Sequence, residues 1–78
     1  MFTRYTVYMS IEYYAVQLKN LREDNDYTQS YVADYLGTSQ TMYARYERGA
    51  NEMPIRHLIK LCKLYNVSAD HILGVNKK

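Results

Sequence analysis

Apolar side chains recur along this chain every three or four residues, and the recurrence breaks at glycines, a proline and hydroxyl residues. The first stripe is Ile11, Tyr14, Leu18 and Leu21, with Lys19, Arg22 and Glu23 on other faces. It predicts an amphipathic helix opened by Ser10 as N-cap and ended by the polar run Glu23-Asp24-Asn25-Asp26. A second, short helix follows Thr28, buries Val32, Ala33 and Leu36, and closes at Gly37, where positive φ is expected. A third is capped by Ser39, runs to about Arg48 and stops at Gly49. Pro54 opens a fourth, whose apolar side is read as Ile55, Leu58, Ile59, Leu61, Cys62 and Tyr65, with Asn66 at its end. Ser68 caps a last helix over 69–73, terminated by Gly74, and residues 75–78 carry no pattern and are expected to fray.

The pattern sums to an all-α, five-helix domain over 11–74. Residues 1–10, MFTRYTVYMS, stand apart from it. Their β-branched and aromatic content reads as a short strand, which would need a partner such as the same strand of a second subunit. It reads equally as a loosely ordered arm or a helix extension. There is no internal repeat and no low-complexity tract.

Composition narrows the class. Apolar residues make up 47% of the 78 positions and Gly plus Pro only four, which argues for a folded domain over disorder. A single domain this small is marginally stable, so a partner subunit is a plausible source of further burial. One cysteine, Cys62, excludes an internal disulfide and suits a reducing compartment. No apolar run is long enough to span a bilayer and no secretory leader is evident, so a cytoplasmic protein is expected. The net charge of +2 is compatible with nucleic-acid binding without arguing for it. The ten tyrosines fall mostly at helical spacing and read as core-edge packing.

The segment TQSYVADYLGTSQTMYARYERG, Thr28 to Gly49, is where placement becomes informative. Two short helices meet at Gly37, and the small Ala33 lets them approach. The second carries Gln40, Thr41, Ala44 and Arg45 on one face and the bulky anchors Met42, Tyr43 and Tyr46 on another. A polar helix face held against a core by large anchors suits the major groove of DNA.

This segment, followed by Pro54 and LCKLYNVSADHILG, resembles the Cro and phage-repressor type of helix-turn-helix regulators, over about Leu18 to Gly74. The resemblance implies a lambda-repressor-like fold and a transcriptional regulator, in particular a repressor. It would bind double-stranded DNA as a homodimer on a near-palindromic operator. It places Gln40, Thr41, Ala44 and Arg45 at base edges: Gln40 on adenine N6 and N7, Arg45 on guanine O6 and N7, and Ala44 or the Thr41 methyl on a thymine methyl. It implies phosphate contacts from Thr28 and from the amide of Gln29 at a helix N-terminus. Arg48, Asn51 and Arg56 would form a second clamp around the following loop. The Gln29 side chain can also brace Gln40. Glu47 is implied to pair with Arg22, tying the first helix to the third.

Three features depart from that pattern. Tyr43 stands where a β-branched aliphatic is usual, so local packing must open or let its hydroxyl escape. Met42 stands where many relatives place a small polar residue that can reach DNA; it reads either as facing thymine methyls or as packing, with packing favoured. The first dozen residues lie outside the resemblance. His57, His71 and Cys62 match no metal-ligand spacing, and neither a phosphate-binding glycine loop nor a catalytic pair is present, so no enzyme, metal or cofactor is expected. No ligand domain is seen within these residues, so no small-molecule effector is expected. A second reading is a protein-interaction module on the same fold, such as an antitoxin or accessory subunit, using Tyr5, Tyr8, Tyr31 and Tyr35 as its surface. Leu73, Val75 and the N-terminal segment are candidate interface residues, as is His71.

Overall fold

The computed structural model describes residues 11–74, so the readings placed on 1–10 and 75–78, including Ser10, Tyr5, Tyr8 and Val75, lie outside the described residues. Within them the chain forms α1 (Ile11–Asp24), α2 (Gln29–Leu36), α3 (Gln40–Glu47), α4 (Ile55–Tyr65) and α5 (Ala69–Leu73), with no strand among the described residues.

Local chemistry sets the boundaries. Thr28, Ser39 and Ser68 sit in extended backbone, and each hydroxyl accepts a hydrogen bond from the amide three residues on, Tyr31, Met42 and His71 respectively. Each bond satisfies one of the amides that a helix start leaves without a partner. At the end of α2, Gly37 adopts φ +79°, the Gly37 amide donates to Asp34 O and the Thr38 amide to Ala33 O. That double bond pattern needs a left-handed residue, which glycine supplies without steric cost. Asn66 does the same for α4 with φ +56°, a conformation asparagine tolerates better than most side chains.

The core takes one fully buried large side chain from each helix: Leu18, Val32, Tyr43, Leu61 and Ile72. Tyr14, Ala33, Leu36, Tyr46 and Leu58 complete it. Ala33 is 1% exposed, so a larger residue would wedge α2 from its neighbours.

Two expectations are corrected here. Ile55 and Ile59 are 72% and 52% exposed, so they do not belong to the buried side of α4. That side is His57, Leu58 and Leu61, with Cys62, Leu64 and Tyr65 partly buried beside it. At about 100° per residue, positions 55 and 59 lie on the far side of the helix from position 61. Ile55 and Ile59 have helical spacing but the wrong angle for the core, and the polar His57 takes a buried position instead. The second correction concerns Tyr43. Its hydroxyl does not escape to solvent: the ring is fully buried within the core and the oxygen is sealed from solvent beside Glu47.

Candidate nucleic-acid interface

Gly37, Thr38 and Ser39 make the turn between α2 and α3. With the Ser39 hydroxyl on the Met42 amide, the first turn of α3 is fixed, and Gln40 and Thr41 on it are exposed. Ala44 and Arg45, one turn later, are half-buried. Met42, Tyr43 and Tyr46 face inward, Met42 packing against the core rather than projecting. The Tyr43 and Tyr46 rings meet edge to face with centroids 6.3 Å apart, and Tyr46 meets His57 at 5.9 Å. The helix is therefore seated by aromatic packing while its opposite, polar face is presented outward.

Arg22 and Glu47 lie 25 positions apart in sequence and are joined by two hydrogen bonds: Nε donates to Oε2 at 2.7 Å and an Nη to Oε1 at 3.1 Å. The side chains are 13% and 4% exposed, and the other Arg22 Nη donates to the Tyr27 carbonyl. A two-pronged pair of this kind fixes geometry as well as charge. Burial alone would raise the Glu47 pKa, but the hydrogen bonds from Arg22 and Gln29, with the Tyr43 hydroxyl close by, outweigh it and hold the carboxyl below its ordinary value. The Tyr43 phenol is pushed far up by burial and by the neighbouring carboxylate, so it stays protonated. Its oxygen lies beside Glu47 without reaching standard hydrogen-bond geometry. The Tyr65 phenol, its hydroxyl buried and near Glu47, is pushed up to about 12, chiefly by burial.

A polar chain runs outward from this pair. Gln29 Nε2 donates to Glu47 Oε1 at 3.1 Å, and Gln40 Nε2 donates to Gln29 Oε1 at 3.1 Å. Four side chains from α1, α2 and α3 thus form one connected network from the half-buried interior to the exposed face. The link between Gln29 and Glu47 joins residues 18 positions apart, a spacing that carries no signal for it in the sequence.

At the other end of α3, Arg45 Nε donates to Asn51 Oδ1. The loop that carries Asn51 is anchored, because the Met53 amide donates to the Tyr14 hydroxyl of α1 at 2.9 Å. The structure therefore brings together Arg45 and Asn51, two residues to which the resemblance assigns separate roles. Thr28 is exposed with its hydroxyl engaged as a cap; Arg48, at the end of α3, and Arg56, in the first turn of α4, are exposed. Tyr31 and Tyr35 are exposed on the outer side of α2, and the Tyr31 ring lies 4.6 Å from that of Tyr27. His71 is exposed, while Leu73 is partly buried against the core. Among the described residues, no three His, Cys, Asp or Glu side chains are grouped to hold a metal, and no helix is long and apolar enough to cross a membrane.

Comparison with known proteins fits this geometry. A family model described as helix-turn-helix matches residues 18–72. The HTH-type transcriptional regulator ImmR of Bacillus subtilis is 38% identical over 65 residues, covering 80% of this chain and 51% of ImmR. The uncharacterized HTH-type transcriptional regulator YobD of the same organism is 34% identical over 62 residues, covering 80% and 55%. Antitoxin PezA of Streptococcus pneumoniae is 33% identical over 60 residues, covering 77% and 38%. The chain thus spans about half the length of the two regulators and less of the antitoxin. No solved structure matches the chain.

Proposed function

The chain belongs to the helix-turn-helix family of the Cro and phage-repressor type, and on that footing we propose that it is a sequence-specific DNA-binding transcriptional regulator. The observation that carries the proposal is the presentation of α3: its first turn is exposed, its back is locked by buried aromatics, and Gln40 and Arg45 are each held by a side-chain hydrogen bond. Held side chains lose less freedom on meeting a base than free ones do.

In the bound state α3 lies in the major groove. Gln40 meets adenine, and Arg45, with Nε on Asn51, turns its Nη end to guanine. Thr41 and Ala44 lie along thymine methyls. Thr28, Gln29, Arg48 and Arg56 hold phosphates on either side, with Asn51 divided between phosphate and Arg45. A homodimer would set two α3 helices in successive grooves about 34 Å apart, matching a near-palindromic operator. Occupancy of such a site blocks other proteins, so repression is the direction of control we propose, in the cytoplasm and without catalysis.

Selection of bound duplexes from a random pool tests this. Enrichment of two inverted half-sites about one helical turn apart is expected; enrichment of nothing would refute it. The likeness to an antitoxin and the exposed Tyr31 and Tyr35 favour one other reading, a module that holds a partner protein. A shift assay on its own upstream DNA at low salt separates the two, since an interaction module without a DNA role leaves the duplex unshifted.

A further inference from the structure

We infer that the Glu47 carboxylate, acting through the Gln29 brace that the family resemblance already implies, fixes which way round the Gln40 amide is presented, and so makes Glu47 a positioning residue for adenine at one position of each half-site. The inference rests on the operator reading above and deepens it.

The argument is one of hydrogen-bond polarity. An ionised carboxylate only accepts. Glu47 is held ionised by Arg22, so Gln29 must turn its NH2 toward it, as the 3.1 Å bond shows. The Gln29 oxygen is then the end that faces outward, and it can only accept. Gln40 must therefore meet it with its own NH2, again at 3.1 Å. One N–H of Gln40 is taken, and the amide keeps its oxygen and its other N–H for a base. A glutamine free to rotate can offer nitrogen to guanine, whose O6 and N7 both accept. An amide locked with oxygen and N–H side by side matches adenine, which offers N6–H as donor and N7 as acceptor, and sets its oxygen against guanine O6.

The chain of command starts at a charge, not at packing. Replacing Glu47 by an amide of the same size would let Gln29, and then Gln40, adopt either sense. Replacing Gln29 by methionine would cut the chain while keeping length and helix propensity at a helix start.

The test compares the unaltered protein with Gln29→Met and Glu47→Gln, each first checked for helix content and cooperative melting, on a duplex library. Both variants are expected to lose about tenfold of the adenine-over-guanine preference at one position per half-site, while the preference at the guanine read by Arg45 holds within about twofold. In the free protein, the Gln40 side-chain amide resonances should move in Gln29→Met and, in the unaltered chain, follow the titration of Glu47; a role in packing alone would not link them. If Glu47→Gln fails to fold, Gln29→Met and the Gln40 resonances carry the test alone. Unmoved Gln40 resonances, or preferences that flatten at every position or at none, overturn the inference. If the unaltered protein selects no duplex, the operator reading itself fails and takes this role with it, an outcome recognisable before any variant is measured.

Discussion

Replacing Glu47 by alanine should destabilise the fold far more than replacing Arg45, although both lie on α3 and both make side-chain hydrogen bonds. Glu47 is 4% exposed at its side chain and receives two bonds from Arg22 and one from Gln29. Its loss leaves a guanidinium that is only 13% exposed without its counter-charge. Breaking one side of a buried pair costs about 3–5 kcal/mol. Arg22 keeps its bond to the Tyr27 carbonyl and has a path to water, so the lower end, about 3 kcal/mol, is expected. Arg45 is half-buried with a single side-chain bond to Asn51, and its removal should cost under about 1 kcal/mol. Urea denaturation followed by circular dichroism reads the difference. With a slope near ~1 kcal/mol per molar, Glu47→Ala should lower the midpoint by roughly 3 M and Arg45→Ala by less than about 1 M. A small domain holds only about 5–15 kcal/mol in all, so the first variant should be visibly compromised without urea. Equal midpoints for the two variants would refute the reasoning.

Other outcomes follow from the same geometry. His57 is 4% exposed, and burial, with Arg56 and Lys60 adding to it, holds its imidazole pKa below the ordinary value. The unfolded chain therefore binds the proton more readily, and stability should fall as pH drops from about 6.5 through the lower folded value and stay flat above; His57→Leu should flatten that slope in urea melts between pH 5 and 8, and an unchanged slope would count against it. Glu47 acts in the same direction at lower pH, its contribution present above the ordinary carboxyl value and lost as pH falls through its depressed folded value. Gly37→Ala meets no atoms within 4 Å but keeps φ +79°, so thermal melts should show a loss of about 1–2 kcal/mol from backbone strain alone. Arg45→Ala should relax base preference at one position per half-site, whereas Arg56→Ala should weaken all sequences alike and reduce the salt slope by about 1; identical behaviour across a site library would contradict both assignments.

The parts of the fold written in local chemistry could be read from the chain. Thr28, Ser39 and Ser68 cap, and Gly37, Asn66 and Gly74 terminate, because each acts on its own few residues of backbone. What depends on angle or on distant partners could not. Ile55 and Ile59 have the spacing of a helix stripe, but only the placement of α4 decides which stripe is buried. His57 goes into the core because its neighbour in space is the Tyr46 ring, which no interval in the chain announces. Tyr43 and Glu47 are four apart on one helix, so their proximity could have been drawn from spacing; a buried phenol beside a carboxylate explains how tyrosine fits a position suited to an aliphatic. The Arg22–Glu47 contact was expected through family resemblance and not from periodicity. The bonds from Gln29 to Glu47 and from Arg45 to Asn51 join residues with no sequence signal between them.

Dimethyl sulfate footprinting on a selected duplex bears most directly on the placement of α3, because guanine N7 is reachable only from the major groove. The unaltered protein should protect guanines in two tracts about one helical turn apart, and a chain carrying both Gln40→Ala and Arg45→Ala should lose that protection while melting as a folded domain. Guanines that stay reactive under the bound protein, or protection that survives the double substitution, would contradict entry of this helix into the groove.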